Sequence, residues 1–142
     1  MNVSIAKQAT DELVAALATL IPQLSTAAPP SLEALREIVS SPGNVLLVAR
    51  IDGKIVGTLT LSLLRTPTAF RGWINDVVVD ESARGRGAGE ALTREALRIA
   101  RERGVSNVSL TSRNQRAAAH EMYKKIGFET RDSTIFRYDL CK

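Results

Sequence analysis

The segment of residues 77–90 constrains the fold more than any other part of the chain. A run of apolar β-branched residues ends, a short polar stretch follows, and alternate glycines then lead into a segment whose apolar residues have helical spacing. The residues concerned are Val77, Val78 and Val79, followed by Arg84, Gly85, Arg86, Gly87, Ala88, Gly89 and Glu90. The chain therefore passes from a buried strand through a tight turn into a helix, as it does in α/β folds.

The turn between this strand and this helix has the features of an anion site. Glycines let the backbone approach a ligand closely, and the first N–H groups of a helix carry a partial positive charge. Arg84 and Arg86 add guanidinium groups, which suit phosphate oxygens. The Gly-Lys-Ser/Thr end of a P-loop is absent, and the third glycine comes one residue too early for the dinucleotide fingerprint. A phosphate-bearing ligand of another class is therefore favoured over a surface turn that binds nothing.

The remaining elements follow from the spacing of apolar residues. Helical periodicity predicts helices over Asp11–Leu24, after the cap Ser31, over Ala88–Arg103 and over Arg116–Lys125. Alternation or short apolar runs predict strands over Val45–Arg50, Ile55–Leu63, Trp73–Asp80, Val105–Thr111 and Thr134–Leu140, with a hairpin turn at Asp52-Gly53 and a loop at Arg65–Gly72. This order predicts the α/β (α+β) class, with a mixed sheet covered by helices on both faces.

Composition excludes several classes of protein. The 142 residues have the length of one domain, and 44% hydrophobic with 24% charged residues is ordinary for a globular fold. The apolar runs are far shorter than the roughly 20 residues of a membrane span, and the first residues lack the pattern of a secretory signal. Cys141 is the one cysteine, so it forms no internal disulfide, and with one histidine it does not suggest a metal site. We therefore expect a cytoplasmic protein without a membrane partner or a metal.

The net charge of +4 leaves nucleic acid as a conceivable partner. Aromatic residues make up only 4% of the chain, however, so few side chains are available on which bases stack. The arginines lie in the glycine-rich turn and on predicted helices rather than among aromatic residues. A nucleic-acid-binding module is therefore the least favoured function.

Two segments together resemble a known family. Residues 84–89, Arg-Gly-Arg-Gly-Ala-Gly, match the Arg/Gln-x-x-Gly-x-Gly/Ala motif of the GNAT superfamily, the acyl-CoA-dependent N-acetyltransferases. Residues 118–128, which include Tyr123 and end in Gly-Phe, resemble the late helix of that family. The resemblance covers Trp73 to Leu140. It implies a single N-acetyltransferase domain over residues 1–142, with a mostly antiparallel central sheet whose strands splay at the cofactor site.

The resemblance also implies where acetyl-CoA binds. The amides from Arg84 to Glu90 are expected to hold the pyrophosphate of coenzyme A, and the backbone of Val77, Val78 and Val79 is expected to pair with the pantetheine arm. An amide near Val78 is expected to face the thioester oxygen and to stabilise the charge that develops there. Many family members carry Asn seven residues before the tyrosine. Here that residue is Arg116, and Asn114 lies two positions earlier, so a cofactor contact by either residue stays open.

Tyr123 matches the family position that is proposed to protonate the departing thiolate. A phenol placed close to the sulfur is suited to that role. Residues 73, 75, 77 and 79 of a regular strand share one face. Family members often place an acidic residue near the start of this strand, facing the acceptor, so the resemblance implies that Trp73 and Asn75, which hold those positions here, face the acceptor.

Neither Trp73 nor Asn75 is a base, although an amine must lose a proton before it attacks. Asp76 qualifies if a bulge re-aims it, and His120 and Glu121 are further candidates. The choice among these three residues stays open.

The leading function is the transfer of an acetyl group from acetyl-CoA to a primary amine by direct attack. Cys141, the sole cysteine and the penultimate residue, argues against a cysteine acyl-enzyme. A CoA-binding regulatory or sensor domain without turnover is the alternative, since no base is evident. The acceptor is expected to be a small-molecule or peptide amine. Separately, pairing of the edge strand Thr134–Leu140 between two subunits would form a homodimer, and this possibility stays open.

Overall fold

A computed structural model describes residues 1–113 and 115–141. Within these residues five strands lie side by side in chain order: β1 Asn2–Ile5, β2 Asn44–Ile51, β3 Lys54–Arg65, β4 Phe70–Val79 and β5 Asn107–Leu110. Neighbouring strands are antiparallel except β4 and β5, which are parallel. The predicted mixed and mostly antiparallel sheet is therefore confirmed.

Helices cover both faces of the sheet, as predicted. Their bounds are α1 Asp11–Leu20, α2 Leu32–Ser40, α3 Ala88–Glu102 and α4 Ala117–Ile126. The core between the sheet and the pair α1 and α2 contains Leu13, Leu17, Leu20, Leu35, Leu46, Val48, Ile55 and Val78. The core between the sheet and α3 includes Leu47, Leu59, Leu61, Ile74, Leu92, Ala96 and Ile99. The strand β2 contributes to both cores, which explains why its sequence is a continuous apolar run.

Local chemistry sets the ends of several elements. Thr10 and Ser31 precede α1 and α2, and each side-chain oxygen accepts a hydrogen bond from the amide three residues later. Asp52 and Gly53 have φ values of 52° and 79°, which are the left-handed conformations that a two-residue hairpin turn requires. The cap Ser31 and this turn are where the sequence predicts them.

Several predicted bounds differ from the structure, two of them by three residues or more. The first helix ends at Leu20 and continues as a short 3₁₀ turn over Ile21–Gln23, because Pro22 has no N–H group to continue the helical hydrogen bonds. The predicted loop Arg65–Gly72 is also shorter, since β4 begins at Phe70 and pairs with β3 from that residue.

The predicted closing strand Thr134–Leu140 is wrong as well. Alternation makes a strand only where a neighbouring edge accepts its backbone, and none of the described strands pairs with this segment. Ile135 and Phe136 are consequently exposed, Phe136 to 92%. The pairing between subunits that this strand suggested stays a hypothesis.

Of the helices that the structure describes, none combines the length and the apolar character that a membrane crossing needs. The same residues bring together no group of three or more histidine, cysteine, aspartate or glutamate side chains that is placed to hold a metal ion.

Replacing Leu47 by alanine should destabilise the fold strongly. Its side chain is 0% exposed in the core beneath α3, and a buried Leu→Ala change costs ~2–5 kcal/mol through lost transfer free energy and the cavity that remains. Urea unfolding followed by circular dichroism measures this loss. Leu64→Ala is the control because Leu64 is 60% exposed. Equal losses in the two variants would contradict the assigned core.

Candidate active site

The strands β4 and β5 pair over only part of their length. Their parallel pairing ends at Ile74 opposite Leu110, whereas β4 continues to Val79. The backbone of residues 75–79 therefore has no strand partner on the β5 side within the part of the chain that the structure describes. The splay predicted between two strands is observed here, and it leaves unpaired N–H and C=O groups along one edge of β4.

Alternation along β4 decides which valines present their backbone to this gap. The Asp80 N–H donates to the Val56 carbonyl at 2.7 Å, and Val78 lies directly opposite its partner in β3. Backbone groups of an antiparallel strand alternate in direction, so those of Val78 point to β3 and those of Val77 and Val79 point to the gap. Of the three valines expected to pair with the pantetheine arm, Val77 and Val79 therefore present their backbone groups to the gap, and Val78 does not.

A β-bulge interrupts β4 where the gap begins. Asp76 and Val77 together stand opposite Leu59 of β3, and Asp76 has a φ of 53°, which is uncommon for a residue other than glycine. The extra residue changes the side-chain alternation, so Ile74 and Val77 both pack toward α3 although they are three residues apart. The expectation that residues 73, 75, 77 and 79 share one face is therefore wrong.

Trp73 and Asn75 lie on the opposite face from Ile74, which is the face that α1 and α2 cover. The Trp73 side chain is 42% exposed. The Asn75 Nδ2 donates to the Ser62 Oγ at 3.0 Å and to the Trp73 carbonyl at 3.1 Å. The indole is therefore accessible to a ligand, whereas the amide of Asn75 is held against β3.

An apolar pocket of about 240 Å³ lies on this same face, between the sheet and the helices α1 and α2. Its lining includes Leu17, Ile21, Leu24, Leu35, Ile38 and Leu46, together with Thr58, Thr60 and Asp76. Asp76 stands at its exposed edge, in the part of β4 that borders the gap. The sequence carried a signal for this placement, because the consecutive polar residues Asn75 and Asp76 break the alternation of the strand.

The loop before α3 is open to a ligand. Gly85 and Gly87 have φ values of 79° and 85°, in the left-handed region that favours glycine, and no atom lies within 4 Å of where a Cβ would stand at either. The first helical hydrogen bond runs from the Ala91 N–H to the Gly87 carbonyl at 3.0 Å. The amides of residues 88–90 precede it, so they have no acceptor within the helix.

Charged side chains around this loop are arranged in two ways. The Arg84 Nε donates to the Val79 carbonyl at 3.2 Å, which ties the loop to the end of β4. The Glu90 carboxylate accepts from the Arg94 Nε at 2.9 Å and from the Lys125 Nζ at 3.0 Å. Both hydrogen bonds lower the pKa of Glu90, and the one from Arg94 has the larger effect. Its negative charge is therefore balanced beside the helix terminus, and α3 is linked to α4.

Tyr123 lies half-buried on α4 with its ring edge-on to Phe128, the ring centroids being 5.6 Å apart. Burial raises the pKa of Tyr123, and the positive charge of Arg116 opposes this in part. Arg116 is the exposed residue that precedes α4. Its charge thus acts on Tyr123, whereas the other candidate for a cofactor contact, Asn114, lies outside the described residues.

The remaining two candidates for the base are on α4. The His120 Nε2 is buried and has no hydrogen-bond partner among residues 1–113 and 115–141, and Glu121 is exposed. Neither lines the pocket. Of the three candidates for the base, Asp76 is the one that lines the pocket.

Gln23 joins the pocket wall to the loop that leads to α3. Its Nε2 donates to the Asp80 Oδ1 at 2.8 Å, and its Oε1 accepts from the Glu81 N–H at 2.9 Å. Hydrogen bonds from Ser82, and next from Gln23, lower the pKa of Asp80. The sequence analysis did not identify Gln23, because its two partners lie 57 and 58 positions further along the chain and no local pattern indicates contacts over such a separation.

Gln23→Ala should loosen this connection. We expect amide hydrogen exchange at Glu81 to quicken by about two- to ten-fold, the factor that corresponds to a net ~0.5–1.5 kcal/mol hydrogen bond. Hydrogen exchange followed by NMR measures it. Gln8→Ala, a change at an exposed glutamine, serves as control. The same exchange rate in Gln23→Ala and wild type would show that the Gln23 contact does not hold the loop.

Comparison with known proteins agrees with this geometry. The sequence model of the "Acetyltransferase (GNAT) family" matches residues 11–128. A human protein named N-acetyltransferase 8B is 31% identical over 103 residues, which are 71% of this chain and 45% of that protein. A mycothiol acetyltransferase of Beutenbergia cavernae is 42% identical over 86 residues, which are 60% of this chain and 28% of that protein. The chain thus spans less than half the length of these two relatives.

A solved structure has the same fold. A putative acetyltransferase from Agrobacterium tumefaciens str. C58 superposes with a TM-score of 0.82 and 23% identity, covering 98% of this chain and all of that one. The strand order, the parted strands and the glycine loop thus agree with the match to the family's sequence model. The chain belongs to the GNAT acetyltransferase family.

Proposed function

We propose that the protein transfers the acetyl group of acetyl-CoA to a primary amine by direct attack, as a single N-acetyltransferase domain. Membership of the family supports acetyl transfer to amines in general. One observation carries the proposal for this chain: the unpaired backbone edge of β4 at Val77 and Val79 leads within ten residues into the helix-terminal amides 88–90. This arrangement suits a ligand with an extended amide-bearing arm and a diphosphate.

The loop residues fit the diphosphate of coenzyme A, since GNAT acetyltransferases generally use acetyl-CoA. The left-handed Gly85 and Gly87 leave a surface without side chains, and the amides of residues 88–90 carry the positive end of the helix dipole. The exposed guanidinium of Arg86 adds a full charge. These groups would hold the diphosphate, and the bound cofactor would supply the acetyl group as a thioester.

The edge of β4 would bind the pantetheine arm in the manner of an added strand. The Val79 carbonyl already accepts from Arg84, so the Val79 N–H and the N–H and carbonyl of Val77 are the groups proposed to bind the arm. This assignment keeps Val77 and Val79 as cofactor residues, and it leaves Val78 to pack against α1 and α2.

Proton transfer completes the proposed reaction. Starting from an ammonium, the nitrogen loses one proton before it attacks and a second as the tetrahedral intermediate breaks down, while the departing sulfur gains one proton and the other leaves to solvent. Tyr123 is the proposed donor to sulfur, because its raised pKa keeps the hydroxyl protonated at neutral pH. Asp76, which lines the pocket, is the proposed acceptor of the amine proton, directly or through water. Cys141 is exposed beyond α4, which is in keeping with direct attack rather than an acyl-cysteine.

Arg86→Glu should weaken binding of acetyl-CoA by about ten-fold or more, because a charge-assisted contact to phosphate is replaced by repulsion. Isothermal calorimetry with acetyl-CoA measures the change. Arg101→Glu is the matched control: it makes the same charge change in the last turn of α3, about 20 Å along the helix and beyond the reach of screened charges. Equal effects in the two variants would exclude the loop as the diphosphate site.

Tyr123→Phe should lower kcat by about a hundred-fold while the Kd for acetyl-CoA stays within about two-fold. The raised pKa also means that wild-type kcat holds as the pH rises and falls only above the ordinary tyrosine value of 10.0. Coenzyme A release at saturating substrates across a pH series measures both effects. An unchanged kcat in Tyr123→Phe would reject the acid role, and binding of acetyl-CoA without turnover of any amine by the wild type would indicate the CoA-binding sensor.

A further inference from the structure

The pocket beside Asp76 has a chemistry that discriminates among amines. Its walls are the aliphatic side chains of α1, the following 3₁₀ turn and α2, with Leu17, Leu24 and Ile38 among them. Thr58 lies on the sheet side, but its hydroxyl already donates to the Leu47 carbonyl at 3.0 Å. An acceptor in this pocket therefore meets a mostly apolar surface, the neutral hydroxyl residues Ser25 and Thr60 and, at the exposed edge, a carboxylate.

Among the described residues, the charge that lines the pocket is negative. Asp76 is the only ionisable side chain among its described lining residues. The two arginines at the β3–β4 hairpin make contacts within the hairpin: Arg65 stacks on the Phe70 ring with 4.3 Å to its centroid, and Arg71 donates to Thr66 and Thr68. A carboxylate on the acceptor would thus lie near Asp76 without a cation among the lining side chains.

We propose that the preferred acceptor is a primary ammonium on an apolar chain, with no carboxylate next to the amine. This inference rests on the proposed function and specifies its acceptor. The carboxylate of Asp76 pairs with the ammonium at the border of the gap, and the apolar chain lies along Leu17, Ile21 and Leu24. The pocket volume of about 240 Å³ is below the ~300–1,000 Å³ of sites for drug-sized ligands, so the pocket takes a single chain.

Two sources supply this chemistry: a small aliphatic amine, and a peptide whose first residue is apolar, since its amine is followed by a neutral amide. Three matched acceptors distinguish these two sources and test whether a carboxylate beside the amine is disfavoured. 3-Methylbutylamine, leucinamide and leucine share one apolar chain and differ only in carrying nothing, an amide or a carboxylate beside the amine. We expect kcat/KM to be at least about ten-fold lower for leucine than for either of the others, since a charged group without a partner is disfavoured. The better of the other two identifies the source.

A series of amines with increasing alkyl chain length gives a second test. From propylamine to pentylamine, kcat/KM should rise about three- to four-fold for each added CH₂, because each buried methylene contributes a constant increment. Acetylation of leucine as efficient as that of 3-methylbutylamine, or no dependence on chain length, would overturn the inference while leaving the proposed function intact. Absence of acetylation with every amine would contradict the proposed function itself.

Two variants locate the preference in this pocket. Leu24→Arg should raise kcat/KM for leucine relative to 3-methylbutylamine by about ten-fold, because it supplies the missing cation. Leu64→Arg, the same change at an exposed residue of β3, should leave the ratio unchanged. An unchanged ratio in Leu24→Arg would place the acceptor elsewhere.

The role of Asp76 is tested by binding alone, which does not depend on turnover. In the presence of coenzyme A, calorimetry should show that wild type binds 3-methylbutylamine about ten-fold more tightly than the neutral 3-methyl-1-butanol. Asp76→Asn tolerates the same positive φ and should abolish this preference while keeping the affinity for the alcohol. A preference that survives in Asp76→Asn would show that another group binds the ammonium.

Discussion

The early end of the pairing between β4 and β5 is the constraint on which the rest of the site depends. Beyond Ile74 the strand β4 has no neighbour on its β5 side among the described residues, yet its N–H and C=O groups still need partners. An extended ligand that carries amides would meet that need as an added strand does. The edge is continuous with the glycine loop, so one ligand can satisfy the backbone of Val77 and Val79 and the first amides of α3.

The bulge at Asp76 directs neighbouring residues of β4 to two different sides of the sheet. Because one extra residue is inserted, Val77 packs toward α3 with its backbone at the gap, while Asp76 lines the pocket beneath α1 and α2. In the proposed reaction, cofactor and acceptor would therefore approach the same part of β4 from different directions. Gln23 links the two sides, since it joins the turn after α1 to the residues that follow β4.

Sequence patterns predicted the parts of this structure that depend on local chemistry. The hairpin at Asp52-Gly53 needs left-handed backbone, and the loop at Gly85 and Gly87 needs the same conformation before a helix, so both leave a composition signal. The bulge was only a conditional expectation, because strand periodicity alone does not show where two strands lose register. The closing strand failed for a related reason: alternation describes the segment Thr134–Leu140, whereas a strand also needs a partner edge.

The backbone assignment along β4 is tested most directly by NMR, with amide chemical shifts followed as coenzyme A is added to the protein. The amides of Val77 and Val79 and those of residues 88–90 should shift together with one Kd, and the amide of Val78, which points to β3, should shift far less. Shifts confined to other parts of the chain, or a Val78 amide that responds as strongly as its neighbours, would contradict the binding of the cofactor along this edge.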